Sequence, residues 1–158
     1  MRYAQIRKMD ISNGKGLGIS LFVQGCSRHC RNCFNPETWD FNGGKLYTSE
    51  TKNTILKLLN NEHIKRISIL GGEPMEEVNV TSVSDLIDSV RWVYGDTKSI
   101  WLYTGYTFEE LVTKDKEVYR NILNKIDCLV DGAYIDELKD MSLQYRGSSN
   151  QRIIKIER

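Results

Sequence analysis

The sequence predicts an α/β fold built on a mostly parallel sheet, and three observations predict it. Apolar runs at 19–23, 66–70, 99–103 and 127–130 read as short buried strands bounded by turn residues. Stretches of helical periodicity lie between them, and strand alternating with helix at these distances argues for parallel βαβ units with right-handed crossovers. The chain of 158 residues carries no repeat, low-complexity tract or linker, so one domain over 1–158 is expected.

Each element has its own signal. Residues 2–6 read as a short edge strand. Ser12-Asn-Gly-Lys-Gly-Leu-Gly18 is glycine-rich, but its spacing fits neither a P-loop nor a dinucleotide fingerprint, and it reads as a turn between strands. Ile19–Val23 then runs into Gln24-Gly25, where the backbone is free to turn into a loop. Asp40–Lys45 is a turn by its Asn-Gly-Gly content, and Thr48 or Ser49 caps a helix to about Asn60, with Ile55, Leu56, Leu58 and Leu59 inward. The strand 66–70 ends in Gly71-Gly-Glu-Pro74. Val83, Leu86, Ile87, Val90 and Tyr94 make one helical stripe, stopped by Gly95. After the strand 99–103 and the loop Thr104–Tyr106, Thr107 and Glu110 form a capping box. A helix over 116–126 places Val118, Ile122 and Ile126 inward, and 151–156 is the last strand. Loops at the carboxyl ends of parallel strands share one face, so the loop after 23, Gly71–Pro74, Thr104–Tyr106 and Asp131–Tyr134 are expected at one mouth.

Composition excludes several classes of function. The 22 basic and 21 acidic residues nearly cancel, which gives no global field for nucleic acid or an anionic membrane. No apolar run approaches the length of a membrane span, and the amino terminus lacks a signal-peptide core, so a soluble cytoplasmic protein is expected. Two histidines and no Ser-His or Cys-His constellation leave hydrolytic nucleophilic catalysis without machinery.

The chemistry lies in Cys26-Ser-Arg-His-Cys30-Arg-Asn-Cys33, three thiols in eight residues. Without a secretory context they do not read as a disulfide framework, and soft sulfur ligands in one loop suit zinc or an iron–sulfur cluster. Structural zinc requires four ligands, whereas three cysteines on a four-iron cluster leave one iron open for chemistry. Cys128, among Ile126, Leu129 and Val130, reads as a buried structural thiol, with a fourth ligand as the alternative; His29 reads as an exposed spacer.

The C-x3-C-x2-C spacing resembles that of radical S-adenosylmethionine enzymes. Cys33-Phe-Asn-Pro-Glu-Thr-Trp39 resembles one branch, the anaerobic ribonucleoside-triphosphate reductase-activating proteins. So do Trp101–Tyr106 with Glu109–Leu111, Asp127–Tyr134 and, most distinctively, Arg146–Arg152; together the matches cover most of 10–155. The resemblance implies a partial, trimmed (β/α) barrel of the radical S-adenosylmethionine type. It implies that Cys26, Cys30 and Cys33 hold a [4Fe-4S] cluster whose open iron binds S-adenosylmethionine. Gly71, Gly72 and Glu73 match the motif that holds the cofactor's methionine amino group, Gly72 through its backbone and Glu73 through its carboxylate or by ordering the turn. Many superfamily members place an aromatic before the third cysteine; this chain has Asn32 there and Phe34 after it, and the segment Asn32–Phe34 is expected to border the cofactor.

Thr104 and Asp131 stand at strand ends as further candidate cofactor contacts, each with capping as the alternative. The implied reaction is reduction of the cluster by an external protein such as flavodoxin, followed by cleavage of S-adenosylmethionine to methionine and a 5′-deoxyadenosyl radical. That radical takes hydrogen from a glycine of the reductase large subunit, which is thus both partner and substrate. The sequence leaves open whether the activase is a homodimer or a complex with the reductase dimer. It also leaves activation of another glycyl-radical enzyme, and a zinc-stabilised binding module, as competing readings.

Overall fold

The computed structural model describes residues 1–158. The apolar run after the glycine-rich turn becomes β2 (Gly18–Val23), every residue of it buried. Around it, β1 (Arg2–Asp10), β3 (Lys45–Leu46), β4 (Arg66–Gly71), β5 (Ser99–Tyr103), β6 (Cys128–Asp131) and β7 (Arg152–Lys155) complete one seven-stranded sheet in the order β3-β1-β2-β4-β5-β6-β7. The central strands β2, β4, β5 and β6 are parallel, with Gly18 opposite Arg66, Arg66 opposite Ser99 and Trp101 opposite Cys128; β1, β3 and β7 pair antiparallel at the two sides.

The helices are α1 (Ser49–Leu59), α2 (Glu77–Tyr94), α3 (Phe108–Val112) and α4 (Glu117–Lys125). Thr48 caps α1, and Thr107 with Glu110 forms the expected capping box on α3, the Glu110 N–H donating to Thr107 Oγ1 at 3.1 Å. Ile55 and Leu59 are buried under α1 while Leu56 and Leu58 are half-buried at its margin. On α4, Ile122 is buried and Ile126 just beyond it too, but Val118 is only half-buried. Tyr119 takes the deep position instead, its hydroxyl donating to the Met75 carbonyl at 3.1 Å.

The parallel strands never reverse their order, so right-handed crossovers put their helices on one face. That face holds the core: Ile19, Leu21, Val23, Ile67, Ile69, Ile100, Leu102 and Leu129 pack against the stripes of α1, α2 and α4. The opposite face carries Ser20, Phe22, Ser68, Leu70, Trp101 and Tyr103, and loops cover it in place of helices; Tyr145 packs edge-on against Trp101 at 5.4 Å. At its base Arg66 is wholly buried, donating to the Asp10 carbonyl and to Ser68 Oγ, each at 2.7 Å. A charge this deep persists only because those groups and the Asp10 carboxylate at 3.8 Å compensate it.

Two expectations are corrected. β1 runs for nine residues and is not outermost at its start, where β3 pairs with Arg2 and Tyr3. Charged residues masked its second half as a strand; Arg7 lies over the Phe22 ring at 4.8 Å, so its cation serves the sheet face. β3, two residues long, is too short to show a period.

Candidate iron–sulfur site

The carboxyl ends of β2, β4, β5 and β6 open on a cavity of about 410 Å³. All three loop cysteines line it. The loop is coiled tightly: His29 and Asn32 adopt left-handed backbone (φ 47° and 56°), and the Cys33 N–H donates to the Cys30 carbonyl at 3.1 Å. Burial pushes the Cys26 thiol up, while the backbone N–H groups of Arg28 and His29 pull the other way. The Asn35 N–H donates to Cys33 Sγ at 3.4 Å. Three thiols on one wall, one of them accepting a backbone N–H, fit an iron–sulfur cluster by donor chemistry.

The Gly71–Pro74 turn is locked onto this loop. The Gly72 N–H donates to the Val23 carbonyl and the Glu73 N–H to the Gly25 carbonyl, each at 2.8 Å. A Cβ on Gly72 would lie 2.6 Å from the Gly25 oxygen and 2.9 Å from the Thr38 oxygen, so only glycine fits. Gly71, at φ 105°, comes equally close to Val23. The close approach these glycines permit is therefore first of all to the chain's own backbone.

Glu73 is buried to 1% exposure. Its carboxylate accepts the Thr104 hydroxyl at 2.8 Å, the Gly105 N–H at 2.7 Å and the Met75 N–H at 3.0 Å. Burial raises its pKa above the ordinary range; those donors and the Arg28 guanidinium, 3.9 Å away, oppose the rise. These bonds make Glu73 the tie between two strand-end loops. Asn79 on α2 closes the arrangement from below, its amide donating to the Gln24 and Glu73 carbonyls at 3.1 and 3.0 Å. Sequence reasoning missed it, although a polar residue beside the apolar α2 stripe was a signal.

Cys26, Cys30, Cys33, Phe34, Gly71, Gly72, Glu73 and Thr104 thus meet at one cavity. Asn32 and Asp131 do not line it. The Asn32 amide donates outward to Asp136 at 2.8 Å. The buried Asp131 carboxylate accepts the Phe108 N–H at 2.7 Å and the Arg152 guanidinium, a cap and an ion pair, while Gly132, Ala133 and Tyr134 after it face the cavity. Ser12 and Asn13, from the segment read as a plain turn, also reach the wall. Cys128 is buried beside Trp101 and Val130, outside the cavity lining, and exposed His29 stacks on Trp39 at 4.5 Å. No three His, Cys, Asp or Glu side chains converge closely enough to hold a single metal ion.

The 4Fe-4S single cluster domain family matches residues 12–154, the span that carries the parallel strands and the thiol-lined mouth, and this places the chain among iron–sulfur proteins. Proteins named anaerobic ribonucleoside-triphosphate reductase-activating protein match nearly end to end. The one from Vibrio cholerae serotype O1 is 41% identical over 97% of each chain, and that of Escherichia coli K12 40% over 96% of each. The one from Enterobacteria phage T4 is 35% identical over 97% of this chain and 93% of its own. The chain belongs to the family of anaerobic ribonucleoside-triphosphate reductase-activating proteins.

Proposed function

We propose that this chain activates an anaerobic ribonucleoside-triphosphate reductase, installing a glycyl radical in the reductase large subunit. Cys26, Cys30 and Cys33 would hold a [4Fe-4S] cluster, and the turn Gly71–Glu73 with Thr104 would border S-adenosylmethionine. When bound, the cluster supplies the electron that cleaves S-adenosylmethionine to methionine and a 5′-deoxyadenosyl radical, which removes hydrogen from a glycine of the reductase. The protein's own part is to orient and exclude water. Glu73, already bonded to Thr104 and Gly105, would hold the β4 and β5 ends at fixed spacing, leaving backbone groups of the turn to meet the cofactor. Phe34, packed at 4.9 Å on Tyr134, would wall the adenosine side. For Asn32 and Asp131 the role consistent with their bonds is to support the loops from behind.

One observation carries the reading: three cysteines, the Gly71–Glu73 turn and Thr104 face a single cavity at the carboxyl ends of parallel strands. Helices confined to one face also suit a partial barrel, one radical S-adenosylmethionine domain over 1–158, whose loop-covered side admits a protein segment. No helix is long and apolar enough to cross a membrane, in keeping with action in the cytoplasm beside a soluble reductant such as flavodoxin. The competing zinc module has little support, since neither Cys128 nor His29 is placed to complete a tetrahedral site.

Electron paramagnetic resonance on the anaerobically reconstituted, reduced protein tests this. A four-iron signal that changes with S-adenosylmethionine, then a glycyl radical on mixing with the reductase, is expected. Zinc uptake without iron would overturn the proposal.

A further inference from the structure

Arg28 lies inside the cysteine loop, between two ligand positions, and its side chain reaches away from that loop to two others. Its guanidinium lies over the Tyr106 ring at 4.4 Å. Its Nε is 3.9 Å from Glu73 Oε1, and its Nη2 is 4.0 Å from Glu110 Oε2. Gly105 makes room for it: a Cβ there would lie 2.5 Å from Arg28 Cδ and Nε. No other cation stands within ion-pair distance of the buried Glu73 carboxylate. The neighbouring Arg31 is turned outward to Glu137, and Arg146, also on the cavity wall, donates to the Gln151 carbonyl.

We propose that Arg28 is a positioning residue for the cluster, a role that rests on the activase reading above: it pins the cysteine loop to the Gly71–Pro74 turn and to the Thr104–Tyr106 loop, and its charge sets the cluster's reduction potential. Two physical facts carry this. A stacked guanidinium spanning three strand-end loops restricts their relative motion; its planar fork stacks on Tyr106 while facing a carboxylate, whereas Lys114, over the same ring at 4.6 Å, brings only a point charge. Three thiolates bring negative charge beside an already buried carboxylate, and one-electron reduction adds more. A cation in this partly buried place favours the reduced state, because cluster potentials follow local net charge and exposure.

Arg28→Gln and Arg28→Lys, each in the full chain, separate the two halves. In the metal-free protein, Arg28→Gln should speed amide hydrogen exchange across residues 26–35 and at Gly105; Arg28→Lys, which cannot stack equally, should fall between. In the reconstituted protein, a potentiometric titration followed by paramagnetic resonance should show Arg28→Gln about tenfold less reduced at fixed potential. That is a negative shift of about 59 mV for one electron. Arg28→Lys should recover most of it. Wild-type exchange and wild-type potential in Arg28→Gln would overturn the proposal. A shift in Arg28→Lys as large as in Arg28→Gln would overturn its electrostatic half. If the wild-type chain binds no cluster, the activase reading and the potential effect fall together, and exchange in the metal-free chain alone decides the pinning.

Discussion

The Thr104 hydroxyl donates to the buried carboxylate of Glu73 at 2.8 Å, joining the ends of two adjacent parallel strands beside the thiol loop. Hydrogen bonds to charged acceptors in buried sites contribute about 1.5–3 kcal/mol, and Thr104→Val, near in shape, should cost about that much in urea unfolding. Glu73→Gln should cost at least as much. Its amide group would have to turn N–H toward the Gly105 or Met75 N–H, leaving a buried donor unpaired. A Thr104→Val protein as stable as wild type would show that the tie is not structural.

Gly72→Ala is the sharper lesion. Its Cβ would press on the Gly25 and Thr38 carbonyl oxygens, neither of them the end of a flexible side chain, so the cysteine loop itself must move. Displacements of this kind cost on the order of 1–3 kcal/mol. The expected outcome is a folded protein with a lowered melting temperature and sharply reduced iron uptake on reconstitution. Full iron uptake would mean that the two loops do not depend on each other.

What was legible in the sequence was what neighbours along the chain determine. The buried strands at 66–70 and 99–103, the Thr107–Glu110 capping box and the Gly95 stop each declare themselves within a few residues, and the structure keeps them. The convergence of cysteines, Gly71–Glu73 and Thr104 followed from strand direction alone. Side-chain direction was not legible where a distant partner sets it. Asn32 is turned outward by Asp136, 104 residues away, and Asp131 is engaged by Arg152 on the edge strand. Gly71 and Gly72 announced a close approach, but the backbone they approach lies nearly 50 residues earlier and could not be read from the turn itself.

The four cysteines should separate cleanly by function. Cys26→Ala, Cys30→Ala and Cys33→Ala are each expected to abolish the cluster signal with little loss of fold, since these side chains face a cavity. Cys128→Ser should do the reverse. Exchanging the thiol for a more strongly hydrated hydroxyl in the buried cluster with Trp101 and Val130 costs about 1–3 kcal/mol, while iron content stays at the wild-type level. Loss of iron in Cys128→Ser without loss of stability would reinstate that thiol as a ligand.

Acid should weaken the fold through Asp127, at the opposite end of the sheet from the site. Its carboxylate accepts the Arg91 guanidinium at 2.7 Å and, at 2.8 Å each, the Ile100 N–H and Arg158. Burial works to raise its pKa, but these donors outweigh it and hold the carboxyl below its ordinary 3.8. A carboxyl with a depressed folded pKa contributes stability that is complete above the unfolded value and lost as pH falls through the folded one. Glu73 acts with the opposite sign: burial lifts its folded pKa, so its ionisation removes stability as pH rises through that value. Comparing wild type with Asp127→Asn cancels the Glu73 contribution, which both share. Near neutral pH the variant should be less stable by about 1–2 kcal/mol, a range set by partly exposed charged hydrogen bonds. The gap should narrow as urea unfolding is repeated below pH 3.8. A gap that stays constant through that range would show that the Asp127 carboxylate is not the group through which acid acts.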